Sequence, residues 1–415
     1  MSERDGSRRV SVRSGGRQRV ASCRRRWAAL TLPRVLVVLE HPVQHFSEGF
    51  RIVEKSGVVD LSVLYWENDE GGRVDPEFGL RISWDVDLLS GYSWEVVDGD
   101  SAARRAFDTV RKMATRSPDL IVVFGWATSI ARLALCWAVA TRTPVLLFGD
   151  STWQFEADAS PIRRFARHLL LGMLMKVASG AISTGAFNRE FYIRHGMDPR
   201  RIVPGVYPTD VAACASLAPE RSRGPGGESP PNRSVRIGYA GKLITRKGVD
   251  ELLRAAGNLD RGVSWTVRIV GDGPDRHRLV ELADHLGIAD RVEFVGFRNT
   301  SEMPSEFVCC DIVVMPSTRE NRGLVAVEAM ASGAAVVVSS NTGVWGAGDV
   351  LEDGVTGFVY PSGDADALAG ILDTLVRDSS LRAMVGSAGA IRARDQGPDG
   401  FAGGIERAAV AVCGG

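Results

Sequence analysis

Within residues 311–340, DIVVMPSTRENRGLVAVEAMASGAAVVVSS, two short apolar runs enclose a helix-like segment that is apolar on almost every face. The runs 312–315 and 335–338 have the length and composition of buried strands, and the segment between them, from about 322 to 332 and stopped by Gly333, has the length of one helix. Such a unit fits a parallel sheet covered on both faces, where strands and crossover helix alike leave water. Glu320 is expected to open the helix, and Glu328 lies inside it beside Leu324, Val325, Ala326, Val327, Ala329, Met330 and Ala331. A carboxylate there is costly unless hydrogen bonds replace its hydration. Two readings stand open. One is a structural Glu satisfied by neighbouring backbone. The other is a carboxylate that meets a hydroxyl pair, such as a ribose diol, at the carboxyl end of a parallel strand, where open α/β sheets take their ligands.

The alternation runs through the rest of the chain. Strand-like runs at 34–40 (RVLVVLE), 61–66, 119–124, 144–148 and 180–184 alternate with helix-like segments after His45, over 127–141 and over 162–177. They read as one parallel, doubly wound sheet. Residues 213–234 end in APERSRGPGGESPPNRS, a linker composition, and strands at 235–240, 266–270, 292–295, 312–315 and 335–338 then restart the pattern. The expected fold class is α/β, with two Rossmann-like halves facing across a cleft. The divisions are an arm over 1–32, an N-terminal domain over 33–212, a linker over 213–234, a C-terminal domain over 235–385 and a terminal helical segment over 386–415.

With 415 residues, 45% of them hydrophobic, the chain is long enough for two cores, and a formal net charge of 0 points away from nucleic acid as partner. Six cysteines (Cys23, Cys136, Cys214, Cys309, Cys310, Cys413) show no CxxC spacing and read as reduced core residues of a cytosolic protein. Nine arginines among residues 1–32, with Ser and Gly between them, have the composition of a disordered arm. A translation start placed too far upstream explains that arm as well as a functional tail does. No apolar run reaches the ~18 residues of a membrane span.

Only five lysines occur, and Lys242 and Lys247 share one glycine-flanked loop, GKLITRKG, directly after a strand. Gly241 lets backbone approach a ligand closely, while Lys242, Arg246 and Lys247 bring positive charge to the mouth of a helix that begins near residue 249. A diphosphate suits that arrangement; a solvated basic turn is the alternative. Gly271 to Pro274 adds a strand-to-helix turn.

Together these pieces carry a family resemblance. Glu320-x7-Glu328 inside PSTRENRGLVAVEAMASG, with GKLITRKG and IVGDGP before it and DVLEDGVTGFVYPSGDADALA after it, resembles the retaining family 4 glycosyltransferases of GT-B fold. The resemblance implies a retaining transferase (EC class 2.4) that takes a nucleoside-diphosphate sugar and an unidentified hydroxyl acceptor, needs no metal or other cofactor, and contributes to carbohydrate biosynthesis. It assigns catalysis to Lys242, Lys247 and Glu320. It assigns donor binding to Gly241, Arg246, Arg322, Gly323, Leu324, Val325 and Glu328, with the base bordered by residues 295–298. It also implies that a last helix, 401–412, crosses back onto the first domain. The family more often has Arg at the place of Lys242, a glycine pair after the first strand and a histidine near position 126. This chain has HPVQH and Trp126 instead.

On the acceptor side, His41, Gln44, His45, Trp126 and Asp150 follow strands at their carboxyl ends and are expected to face the cleft. Asp85/Asp87, Asp98/Asp100 and Asp364/Asp366 have the spacing of cation-binding pairs, but none follows a long buried strand, and no metal site is expected. The segment PIRRFARHLLLGMLMKV at 161–177 groups Arg163, Arg164, Arg167 and His168 ahead of a run of Leu and Met. It reads as a core helix or as a peripheral contact with the inner face of a membrane. Two other classes stay open: an epimerase using the same cleft without an acceptor, and a non-catalytic subunit that binds nucleotide sugars.

Overall fold

The computed structural model describes residues 32–68, 73–75, 80–82, 85–154, 160–218 and 234–414. The arginine arm up to residue 31 and linker residues 219–233 lie outside the described residues.

The N-terminal half contains β1 (Arg34–Leu39), β2 (Asp60–Tyr65), the antiparallel pair β3 (Arg73–Asp75) and β4 (Leu80–Ile82), β5 (Trp94–Val96), β6 (Leu120–Phe124), β7 (Val145–Gly149), β8 (Gly180–Ser183) and β9 (Ile202–Pro204). Its main sheet is parallel, in the order β5-β2-β1-β6-β7-β8-β9. The second sheet, β12-β11-β10-β13-β14-β15, is likewise parallel, from β10 (Val235–Ala240), β11 (Trp265–Val270), β12 (Val292–Gly296), β13 (Ile312–Met315), β14 (Ala335–Ser339) and β15 (Phe358–Tyr360). Strand order reverses at β1/β6 and at β10/β13, and the crevices beyond those carboxyl ends open into one cleft.

Continuous apolar runs form these strands because successive side chains enter different cores. In β1, Val35, Val37 and Leu39 join one core while Leu36 and Val38 join the core on the opposite face; in β13, Ile312 and Val314 divide in the same way from Val313 and Met315. The last helix, Pro398–Cys413, packs on the helix Gln44–Ser56 of the other half, with Phe401, Ile405 and Ala408 in the N-terminal core. A Cβ on Gly49 would stand 2.3 Å from the Phe401 ring, so a glycine is what lets the two helices meet.

Several expectations are corrected. The helix after β13 spans Leu324–Ala331 and not 322–332, because Gly323 adopts a left-handed φ of 77°. Glu320 therefore does not open it; its N–H bonds the Asn341 carbonyl at 3.0 Å and extends the strand edge. The linker starts later than residue 213, since Val211–Leu217 is helical and puts Val211 and Cys214 into the C-terminal core beside Ala326 and Met330. Cys136 is exposed and not a core residue. The helix Pro161–Val177 is not core either: only Leu171 and Met175 are buried, while Ile162 is 82%, Phe165 65%, Leu170 62% and Met173 60% exposed. Among the described residues, no helix is long and apolar enough to cross a membrane.

Candidate active site

The wall of the cleft in the C-terminal half is built from backbone. After β10 the chain turns at Gly241, φ 147°, whose N–H bonds the Val270 carbonyl at 3.0 Å. Gly271, φ 133°, lies so close that a Cβ would be 1.9 Å from the Gly241 carbonyl oxygen, and at Gly273 it would be 2.5 Å from that of Leu243. The two loops are thus interlocked main chain to main chain, which only glycine allows. A 3₁₀ turn, Thr245–Lys247, follows, and Gly248, φ 66°, passes against the Pro316 carbonyl before the helix Val249–Gly257.

That turn aims Lys247 at Glu320, and the two side chains form an ion pair. Both line an inner cavity of about 240 Å³ together with Gly241, Ser317, Gly323, Leu324 and Val325 from the C-terminal half and His45, Asp150 and Tyr207 from the N-terminal half. The helix Leu324–Ala331 has no side-chain cap, which leaves the first N–H groups at its mouth facing the cavity wall.

Glu328 stands one turn further along that helix and lines a larger cleft cavity of about 510 Å³, opposite Gly271, Phe297 and Arg298. The Thr209 hydroxyl donates to its carboxylate, a bond between the two halves, and burial pushes its pKa up to about 7. Glu328 is thus available as an acceptor of hydroxyl hydrogen bonds from inside the cleft.

On the opposite wall, Gln44 borders the larger cavity, its Nε2 lying 3.4 Å from Nε2 of His45. Burial lowers His45 to about 4, so its imidazole is neutral near pH 7. Burial raises the pKa of Asp150, which accepts from Asn321 Nδ2 at 3.4 Å across the cleft. His41 lines a third cavity, of about 250 Å³, beyond β1, β6 and β7.

The structure therefore brings together Lys247, Glu320, Gly241, Gly323, Leu324, Val325, Glu328, Gln44, His45 and Asp150 around one cleft. Lys242 and Arg246 stay on the same loop without bordering these cavities. The Lys242 carbonyl accepts from the Tyr239 hydroxyl at 2.9 Å, and the Arg246 carbonyl from the Thr318 N–H at 2.9 Å. Arg322 is buried, its guanidinium bonded to Asp349 at 2.8 Å and to Gln396 at 3.0 Å, so it braces the two halves while it also lines the inner cavity. One assignment is corrected. Trp126 stacks on buried Phe191, centroids 5.5 Å apart at 6°, and is off all three cavity walls.

Sequence reasoning missed Glu40, Tyr207 and Thr209. The last two sit in the irregular segment between β9 and the helix Val211–Leu217, where no periodicity marks them. Among the described residues, no group of three His, Cys, Asp or Glu could hold a metal ion. Of the aspartate pairs, Asp87 bonds the N–H groups of Leu89 and Ser90, Asp98 pairs with Lys112, and Asp364 caps the helix Ala365–Arg377.

The family model for glycosyl transferases group 1 matches residues 227–392. A D-inositol 3-phosphate glycosyltransferase of Stackebrandtia nassauensis is 35% identical over 207 residues, 47% of this chain and 45% of that one. An alpha-D-kanosaminyltransferase of Streptomyces kanamyceticus is 34% identical over 145 residues, 35% of this chain and 37% of that one. The chain thus spans less than half the length of either relative. Among solved structures, Anabaena HepE in complex with UDP superposes with a TM-score of 0.66 over 90% of this chain and 98% of that one, at 19% identity, which shows a shared GT-B fold.

Proposed function

From the premise that residues 227–392 are a group 1 glycosyltransferase domain set in a GT-B frame, we propose that the protein transfers a glycosyl group from a nucleoside-diphosphate sugar to a hydroxyl acceptor, with retention at the anomeric carbon. The observation that carries this is the inner cavity, where the Lys247–Glu320 pair of one half faces His45 and Asp150 of the other. A donor diphosphate lies against the Gly241 loop and the first N–H groups of the helix Leu324–Ala331, and Glu328 accepts hydrogen bonds from the ribose hydroxyls. UDP bound to HepE supports that class of donor. Glu320 orients the sugar hydroxyls.

The acceptor oxygen forms its bond to the anomeric carbon on the face from which the diphosphate leaves. As the bond from that carbon to the phosphate oxygen breaks, negative charge gathers on the diphosphate. Lys247, with Lys242 on the same loop, stabilises that charge, and the departing phosphate takes the acceptor's proton. No metal ion is assigned a role.

A thermal-shift panel of nucleoside diphosphates and their sugars tests the donor. A ligand at a hundred times its dissociation constant adds about 2.7 kcal/mol to stability. Nucleoside diphosphate should be released only when an acceptor is present. Release of an isomerised sugar nucleotide without acceptor would show an epimerase instead.

The proposal extends to location. On the helix Pro161–Val177, exposed Ile162, Phe165, Leu169, Leu170 and Met173 are flanked by exposed Arg163, Arg164 and Arg167, a combination that suits an anionic lipid surface. A protein beginning at residue 33 should float with anionic liposomes at low salt and lose that ability on Arg163→Glu/Arg167→Glu substitution. If it stays at the bottom of the gradient, the helix is not a membrane seat.

A further inference from the structure

The third cavity, about 250 Å³ beyond the carboxyl ends of β1, β6 and β7, has walls unlike those of the donor side. Phe124 and Phe148 stack with centroids 4.4 Å apart, and Tyr207 closes the ring cluster 5.9 Å from Phe148. Beside these rings stand Glu40, His41 and Asp150. Glu40 Oε2 and His41 Nδ1 are buried without a hydrogen-bond partner, although buried polar atoms are nearly always bonded. An unpartnered carboxylate oxygen beside an open cavity is a site that lacks its donor. Among the described residues, no Lys or Arg lines this cavity.

These walls select by chemistry. Carboxylates accept hydrogen bonds and attract ammonium groups, aromatic faces pack against the C–H faces of a saturated ring, and an anion placed here would face Glu40 and Asp150 with no Lys or Arg among the described lining residues to offset them. Like-charge juxtaposition of that kind costs several kcal/mol.

Building on the transferase reading, we propose that this cavity receives the acceptor, and that the acceptor ring is a polyol bearing hydroxyl or ammonium groups and not a phosphate ester. The S. nassauensis relative is named for an inositol phosphate, so the acceptor class of this chain departs from that name.

The test is calorimetric titration of the full chain, with and without saturating UDP, using three rings of one size: myo-inositol, its monophosphate and the diamine streptamine. Streptamine should bind about tenfold tighter than inositol, the size of one charge-assisted hydrogen bond, and the phosphate should bind most weakly. Glu40→Gln should erase the preference for the amine while leaving UDP affinity within about twofold, and Asp150→Asn should weaken it. The phosphate binding as tightly as the amine, an unchanged order in Glu40→Gln, or no ring binding at all overturns the proposal. Absence of UDP binding tells against the donor assignment alone, because the order of the three rings is also read on nucleotide-free protein.

Discussion

The two walls of the cleft are made in different ways. In the C-terminal half, main chain meets main chain: a Cβ on Gly271 would come within 1.9 Å of the Gly241 oxygen, and one on Gly248 within 2.0 Å of that of Pro316. In the N-terminal half the wall is side chain, with Phe46, Phe124, Phe148 and Tyr207 packed ring on ring and the polar groups set among them. A wall of backbone fixes N–H groups and helix ends, which suit the constant part of a donor, its diphosphate. A wall of side chains is remade by substitution and suits the variable part, the acceptor. The difference teaches that one side of the cleft is a fixed frame and the other, under the proposed function, a surface open to adaptation.

The largest expected effect tests the brace between the walls. Arg322 and Asp349 form a buried pair, and Asp349 also accepts from the Ala186 N–H of the N-terminal half at 2.7 Å. Arg322→Ala strands a buried carboxylate and should cost about 3–5 kcal/mol, read by chemical denaturation. A loss under about 1 kcal/mol would show that the halves do not depend on this brace.

Lys247→Ala comes next. Removing one preorganised charge from the backbone-built wall should lower turnover by about a hundredfold or more. Unchanged turnover in both Lys247→Ala and Lys242→Ala would remove the diphosphate from this loop.

Glu328 gives a smaller effect with a sign. Burial pushes its carboxyl up to about 7, and the proposed function has ribose hydroxyls bind the ionised form. Nucleotide affinity should therefore rise with pH through that value, and fall by up to about tenfold per unit below it, with proton release on binding. Subtracting the profile of Glu328→Gln removes the titration of the phosphates themselves. If the two profiles are parallel, Glu328 does not contact the nucleotide.

The smallest expected effect is none. EDTA should leave activity unchanged, because the proposed function assigns the charge stabilisation to side-chain cations and helix N–H groups. Loss of activity restored by magnesium would move attention to the acid-lined wall, to Glu40 and Asp150.

The same contrast explains what was readable beforehand. The strand–helix alternation and the glycine-flanked basic loop follow from local pattern, because glycines, lysines and strand ends sit within a few residues of one another in GKLITRKG and in the stretch from Glu320 to Glu328. The wall of the third cavity combines β1, β6, β7 and Tyr207, so no window of sequence contains it. Trp126 stands near the cleft in sequence order, but a tertiary partner, Phe191, draws its side chain away. The helix Pro161–Val177 misleads for the opposite reason: apolar composition alone does not say whether a partner surface exists.

Hydrogen exchange followed by mass spectrometry, with and without the nucleoside diphosphate that most raises the melting temperature, tests the division of labour most directly. The account predicts slowed exchange at residues 241–248, 271–274, 296–298 and 320–328, and little change at 40–45 and 124–126. Protection confined to the N-terminal wall, or no nucleoside diphosphate that stabilises the protein, would contradict it.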